Sequence, residues 1–107
     1  MVDLNISERT MLDRDKLIAI LTNELPILRA KINISQNDLS SIIGISRQTY
    51  CAIETKKREM SWNTFLSMIL FFSVNEKTAP IINSIGAFPN ELKAILNVDN
   101  RENKTIL

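Results

Sequence analysis

Arg47 and Gln48 stand side by side, and both side chains can make paired hydrogen bonds with a flat edge. The guanidinium fork of Arg47 matches O6 and N7 of guanine, and the Gln48 amide matches N6 and N7 of adenine. Wound into a helix, Arg47, Gln48, Cys51, Ala52 and Thr55 fall on one stripe and share an outward face. Ala52 is small enough to let such a helix sit deep in a groove and touch a thymine methyl. Just beyond, Lys56-Lys57-Arg58 form a basic run that can grip flanking phosphates. Gln36, Ser46 and the free backbone N–H groups at two helix starts can hold phosphates as well. Taken alone, these residues are equally a solvated helix start and a solvated loop. The elements around them decide between the two readings.

Those elements are written from Ser35 to Arg58. Ser35 caps a helix, with Asp38 three residues on, and Leu39, Ile42 and Ile43 form its core face. Gly44 ends it, because glycine takes the left-handed conformation without steric cost. Ile45 plugs the turn into the core, and Ser46 caps a second helix from Arg47 to about Thr55. Tyr50, Ile53 and Glu54 face inward there. Tyr50 is expected to pack in the core with its hydroxyl reaching the surface. Two helices joined by a turn of three to four residues can place the second one in the DNA major groove.

The rest of the chain reads as further helices. Met1 to Leu12 has no clear period and is expected to be an arm. A helix begins at Asp13, with Leu17, Ile18, Ile20 and Leu21 as its stripe. Pro26 predicts a new helix start or a kink near Asn23, followed by Leu25, Leu28 and Ile32 on one side. Ser61 caps a helix with Phe65, Leu66, Ile69, Leu70 and Phe72, apolar nearly all round and so expected at the buried centre. Met60 and Met68 fill the core around it, and Trp62 is half-buried. Asn75 or Thr78 opens a helix to about Ile85, Gly86 and Pro89 mark a turn, and Glu91 to Asn97 form a last short helix. Val98 to Leu107 is a polar tail. The chain divides into 1-22, an arm and extra helix; 23-86, the DNA-binding unit; and 87-107, a short helix and tail.

Composition bounds the chemistry. The 107 residues are 45% hydrophobic with two glycines and three prolines, which suits one compact all-α domain rather than a disordered chain. Net charge is only +1, but six basic and two acidic residues lie between Arg29 and Arg58 against seven and ten elsewhere. A basic segment on an acidic body suits a protein that faces nucleic acid with one side. There is no histidine and one cysteine, Cys51, so no Cys/His metal site, no intrachain disulfide and no cofactor is expected. No nucleophile has a visible activating base, and no glycine-rich phosphate loop is present, so no enzyme is expected. Asp13 and Asp15 read as an exposed helix start rather than a catalytic pair. Phe65 to Val74 is too short to span a bilayer, and the start of the chain lacks a signal-peptide pattern, so the expected setting is cytoplasmic.

The pattern Leu28-Arg29, Ser35-Gln36, Leu39, Gly44, Ser46-Arg47-Gln48-Thr49, Ile53-Glu54 and Lys57-Arg58 resembles the Cro/repressor-type helix-turn-helix family, also called XRE-like or lambda repressor-like. The resemblance covers about Leu25 to Phe72. It implies a compact bundle of about five helices that binds double-stranded operator DNA as a homodimer and regulates transcription. It implies base contacts from Arg47, Gln48, Cys51 and Ala52. It implies a phosphate contact from Gln36 and a structural ion pair between Arg29 and Glu54; Ser46, Thr49, Thr55, Lys56, Lys57 and Arg58 are expected to contact phosphates beside it. Many members carry glycine where this chain has Lys56; either the lysine takes a left-handed turn at a cost of about 1 kcal/mol, or the loop differs. Related small proteins also act as antitoxins or restriction–modification controllers with a protein partner, which the N-terminal arm or the C-terminal tail would wrap. Ile81, Ile82, Ile85 and the stretch from Phe88 to Leu96 are the expected dimer surfaces. A redox role for Cys51 is disfavoured, because no resolving cysteine exists.

Overall fold

The structure, a computed structural model, describes residues 12–97. The arm up to residue 11 and the tail from residue 98 lie outside the described residues. Six helices and no strand occur among the described residues: α1 (Arg14–Ile32), α2 (Gln36–Ile43), α3 (Arg47–Glu54), α4 (Trp62–Val74), α5 (Ala79–Ile85) and α6 (Asn90–Leu96). None of these helices is long and apolar enough to cross a membrane.

Of the new start or kink expected near Asn23, the new start does not occur, because α1 runs unbroken through Pro26. Its buried residues, Leu17, Ile18, Leu21, Leu25 and Leu28, keep helical spacing on both sides of the proline. Interior proline costs about 3 kcal/mol. Fully burying Leu25 and Leu28 returns about 1.5–3 kcal/mol each, so continuing the helix wins. Pro26 itself is exposed, and Thr22, whose carbonyl it strands, is half-buried. One turn earlier, the Thr22 hydroxyl donates to the Ile18 carbonyl at 2.7 Å.

Serine caps open three helices. Ser35, Ser46 and Ser61 each accept the backbone N–H three residues on, at 3.0, 3.0 and 3.1 Å. Three helices close with one paired arrangement, the residue past the end turning left-handed while two N–H groups reach back into the last turn. Asn33 does this for α1 at φ 55°, Lys56 for α3 at φ 66° and Gly86 for α5 at φ 76°. Gly44 also turns left-handed, at φ 91°, so α2 stops and the chain can enter α3 three residues later.

Helix α1 packs on α3, α4 and α5, and α2 packs on α3 and α4. The core gathers Leu21, Leu25 and Leu28 with Leu39, Tyr50 and Ile53, then Phe65, Met68 and Phe72. Met60 is buried too, and Ile45 packs against the core from the turn. Trp62 is half-buried, stacked on Phe65 at 4.8 Å between ring centroids, with the Arg14 guanidinium 4.7 Å above it. The buried Thr78 hydroxyl donates to the Phe72 carbonyl at 2.6 Å and fastens the turn between α4 and α5.

Two residues expected inside are outside. Ile42 is 59% exposed and Leu70 is 66% exposed, while Ser40 is buried beside Leu39. An apolar side chain on a helix need not face the core, and α4 turns Leu70 and Val74 outward, one turn apart. The segments expected to offer a dimer surface are largely committed to the core. Ile82 and Leu92 are buried, and Ile81, Ile85 and Phe88 pack against the core, which leaves Leu96 exposed there.

Candidate nucleic-acid interface

Helices α2 and α3 are joined by Gly44, Ile45 and Ser46 alone. The connection is rigid for local reasons: a left-handed glycine, an isoleucine anchored in the core and a capping serine. Ser46 accepts the Thr49 N–H, and its hydroxyl meets the Thr49 hydroxyl at 2.9 Å. Tyr50 and Ile53 are buried on the inner side of α3, so its rotation about its own axis is fixed.

That rotation turns out the stripe anticipated from spacing. Arg47, Gln48 and Thr55 are exposed, while Cys51 and Ala52 are half-buried between them. Together with Lys57 they line one open groove along α3. A second open cleft lies between the starts of α2 and α3, lined by Arg29, Ser35, Gln36, Asn37 and Arg47. The first N–H groups of α2 and α3 have no acceptor within their own helices, so this cleft suits an anion. Lys56, Lys57 and Arg58 are exposed on the loop past α3. The Lys57 and Arg58 N–H groups bond the Ala52 carbonyl at 2.9 and 3.2 Å, which gives the basic run a defined backbone.

Behind the stripe, Glu54 organises three helices. Its carboxylate receives Arg29 Nε and Nη2 at 2.9 Å each, Gln36 Nε2 at 2.7 Å and the Tyr50 hydroxyl at 2.6 Å. A carboxylate has about four lone-pair sites, and all four are filled. Arg29 also donates to the Ile34 carbonyl at 3.1 Å, so it clamps the turn between α1 and α2. Burial of the Glu54 carboxyl opposes its ionisation, but the hydrogen bonds from Arg29, Tyr50 and Gln36 outweigh it and hold its pKa below the ordinary value. The hydrogen bond with Glu54 raises the pKa of Arg29. Burial, then the same carboxylate, raises that of Tyr50 well above its ordinary value.

Several side chains differ from what the sequence suggested. The Tyr50 hydroxyl does not reach the surface, because Tyr50 is fully buried and donates its hydrogen bond to Glu54. The spacing of four residues on one helix carries that signal. Gln36 is engaged at both ends: Nε2 donates to Glu54, and Oε1 accepts the Cys51 thiol at 3.0 Å. No local signal marks that contact, since it depends on how close α2 comes to α3. The Thr55 hydroxyl donates to the Cys51 carbonyl at 2.8 Å, which leaves its oxygen, not its proton, facing out.

Over 54 residues, half of this chain, the sequence is 39% identical to the uncharacterized HTH-type transcriptional regulator MJ0272 of Methanocaldococcus jannaschii, and the match covers 82% of that protein. No family profile matches the chain, and neither does any solved structure. With that identity over most of the relative's length, the chain belongs to the HTH-type (helix-turn-helix) transcriptional regulators.

Proposed function

We propose that the protein is a DNA-binding regulator of transcription of the Cro/repressor type, a repressor that lays α3 in the major groove of a double-stranded operator. The observation that carries the reading is the groove along α3. Arg47 and Gln48 are exposed there at the helix start, while Tyr50, Ile53 and Glu54 hold the opposite side. In this arrangement Arg47 and Gln48 read base edges, Ala52 lets the helix approach, and Lys56, Lys57 and Arg58 hold the flanking backbone. Membership among helix-turn-helix transcriptional regulators supports the same reading. The reading includes no catalytic step.

A single domain of this size reads few base pairs, so the reading includes a homodimer with two α3 helices about 34 Å apart on a palindromic site. Leu70 and Val74, one turn apart on α4, are the most exposed large apolar residues among those described and offer a surface for that contact. The test is selection from a random duplex library, followed by titration of the best sequence at two salt concentrations. A palindromic consensus bound at about 10⁻⁸ M or tighter is the expected result. Enrichment of nothing, with salt-sensitive binding near about 10⁻⁵ M, would overturn it and leave a protein partner as the target.

A further inference from the structure

The half-buried Cys51 sits on the face that α3 turns outward, where a base contact is the first role to come to mind. Its hydrogen-bonding capacity is directed elsewhere. The Glu54 carboxylate only accepts, so the Gln36 amide must turn Nε2 toward it, at 2.7 Å. That choice aims Gln36 Oε1 at Cys51, and an amide oxygen requires a donor opposite. The thiol is that donor, at 3.0 Å. One chain of bonds therefore runs from the guanidinium of Arg29 through Glu54 and Gln36 to the sulfur on α3. After these bonds, Gln36 keeps one donor, the second hydrogen on Nε2, and Gln36 lines the open cleft between the starts of α2 and α3.

We propose that Cys51 is a positioning residue rather than a base contact: its thiol holds the Gln36 amide so that the remaining N–H meets a DNA phosphate in that cleft. The inference rests on the reading that α3 faces DNA. Gln36 is neutral, so the contact adds affinity without releasing a counterion, unlike a contact from lysine or arginine.

Two arms test it. The first needs no DNA. Cys51 is the single cysteine, so reaction with an aromatic disulfide reagent reports on it alone. Gln36→Ala is expected to speed that reaction severalfold, because the sulfur loses the amide that covers it. Equal rates in the folded proteins would overturn the link between the two residues. The second arm titrates the selected duplex. Cys51→Ala and Gln36→Ala are each expected to weaken binding about fivefold, the size of one hydrogen bond, and the double variant no further. Cys51→Ser keeps a donor and is expected to stay within about twofold of the natural protein. The salt slope is expected to be unchanged throughout, and the melting midpoint unchanged in Cys51→Ala and Cys51→Ser, whereas Gln36→Ala also loses its hydrogen bond to Glu54 and is expected to melt lower, so binding is compared well below that midpoint. Additive losses, or a changed base preference at one position in Cys51→Ala, would make Cys51 a base contact and overturn the proposal. A natural protein that selects no sequence removes the DNA reading itself, and the thiol arm then still decides whether the Cys51–Gln36 link exists.

Discussion

Tyr50 donates a 2.6 Å hydrogen bond to Glu54, the carboxylate one turn further along the same helix. The bond fills the last acceptor site on a carboxylate already held by Arg29 and Gln36. It fixes the phenol within the core and the carboxylate at its edge, so α3 is positioned by chemistry as well as by packing. Tyr50→Phe keeps the ring and removes only the donor. The expected cost is about 1–2 kcal/mol, since the acceptor is charged. For a domain of this size that lowers the melting midpoint by about 5 °C or more. Calorimetry checks it, and an unchanged midpoint would mean that the carboxylate finds an equal partner in solvent.

The same carboxylate makes stability depend on acidity. The folded-state pKa of Glu54 lies below its ordinary value of 4.5, so the unfolded chain takes up a proton first as pH falls. The stabilisation is therefore complete above that ordinary value and is lost progressively as pH falls toward the lowered one. Compared with Glu54→Gln, the natural protein should hold its full advantage near neutral pH and lose it in that acid window. Thermal unfolding from pH about 7 to about 3 measures this. A constant gap between the two proteins across the window would show that the folded chain does not favour the ionised carboxylate.

Lys56 holds a left-handed turn at φ 66° while closing α3. A side chain there costs about 1 kcal/mol. Lys56→Gly should stabilise the fold by up to that amount, reduced by the greater freedom of glycine in the unfolded chain. Lys56→Val should destabilise it, because a β-branched residue fits this conformation worst. Chemical denaturation of both variants distinguishes backbone strain from side-chain contacts. A less stable Lys56→Gly would assign the lysine side chain a holding role.

Arg47 has its guanidinium free to read a base edge in the proposed complex. Arg47→Ala should cost about 1–3 kcal/mol on the best operator and relax preference at one base pair. A repeated library selection shows the second effect directly. Equal loss on every sequence would make Arg47 a backbone contact.

Lys57 is expected to hold a phosphate. Lys57→Ala should weaken binding to all sequences alike and reduce the slope of log affinity against log salt by about 0.9. Titration at several salt concentrations reads the slope. An unchanged slope would remove Lys57 from the contacts.

Much of this frame is local and could be read along the chain. Ser35, Ser46 and Ser61 each sit at a helix start, Gly44 and Gly86 at helix ends, and the stripe from Arg47 to Thr55 follows from helical spacing. Pro26 misled because its penalty is local, whereas the burial that outweighs it is tertiary. Ile42 and Leu70 misled because apolar type does not say which way a residue on an apolar helix faces. The link from Cys51 to Gln36 was not legible, since it spans fifteen positions and depends on the approach of two helices.

Glu54 bonds to residues of α1, α2 and α3, and none of its partners is Arg47, Gln48 or Ala52. Holding the helix and presenting its letters thus fall to different residues. In the proposed complex, the letters at 47, 48 and 52 could be rewritten while the mount stays intact, so one scaffold would be readdressed to new operators by a few substitutions. Position 51 is the exception, since its side chain reaches back into the mount.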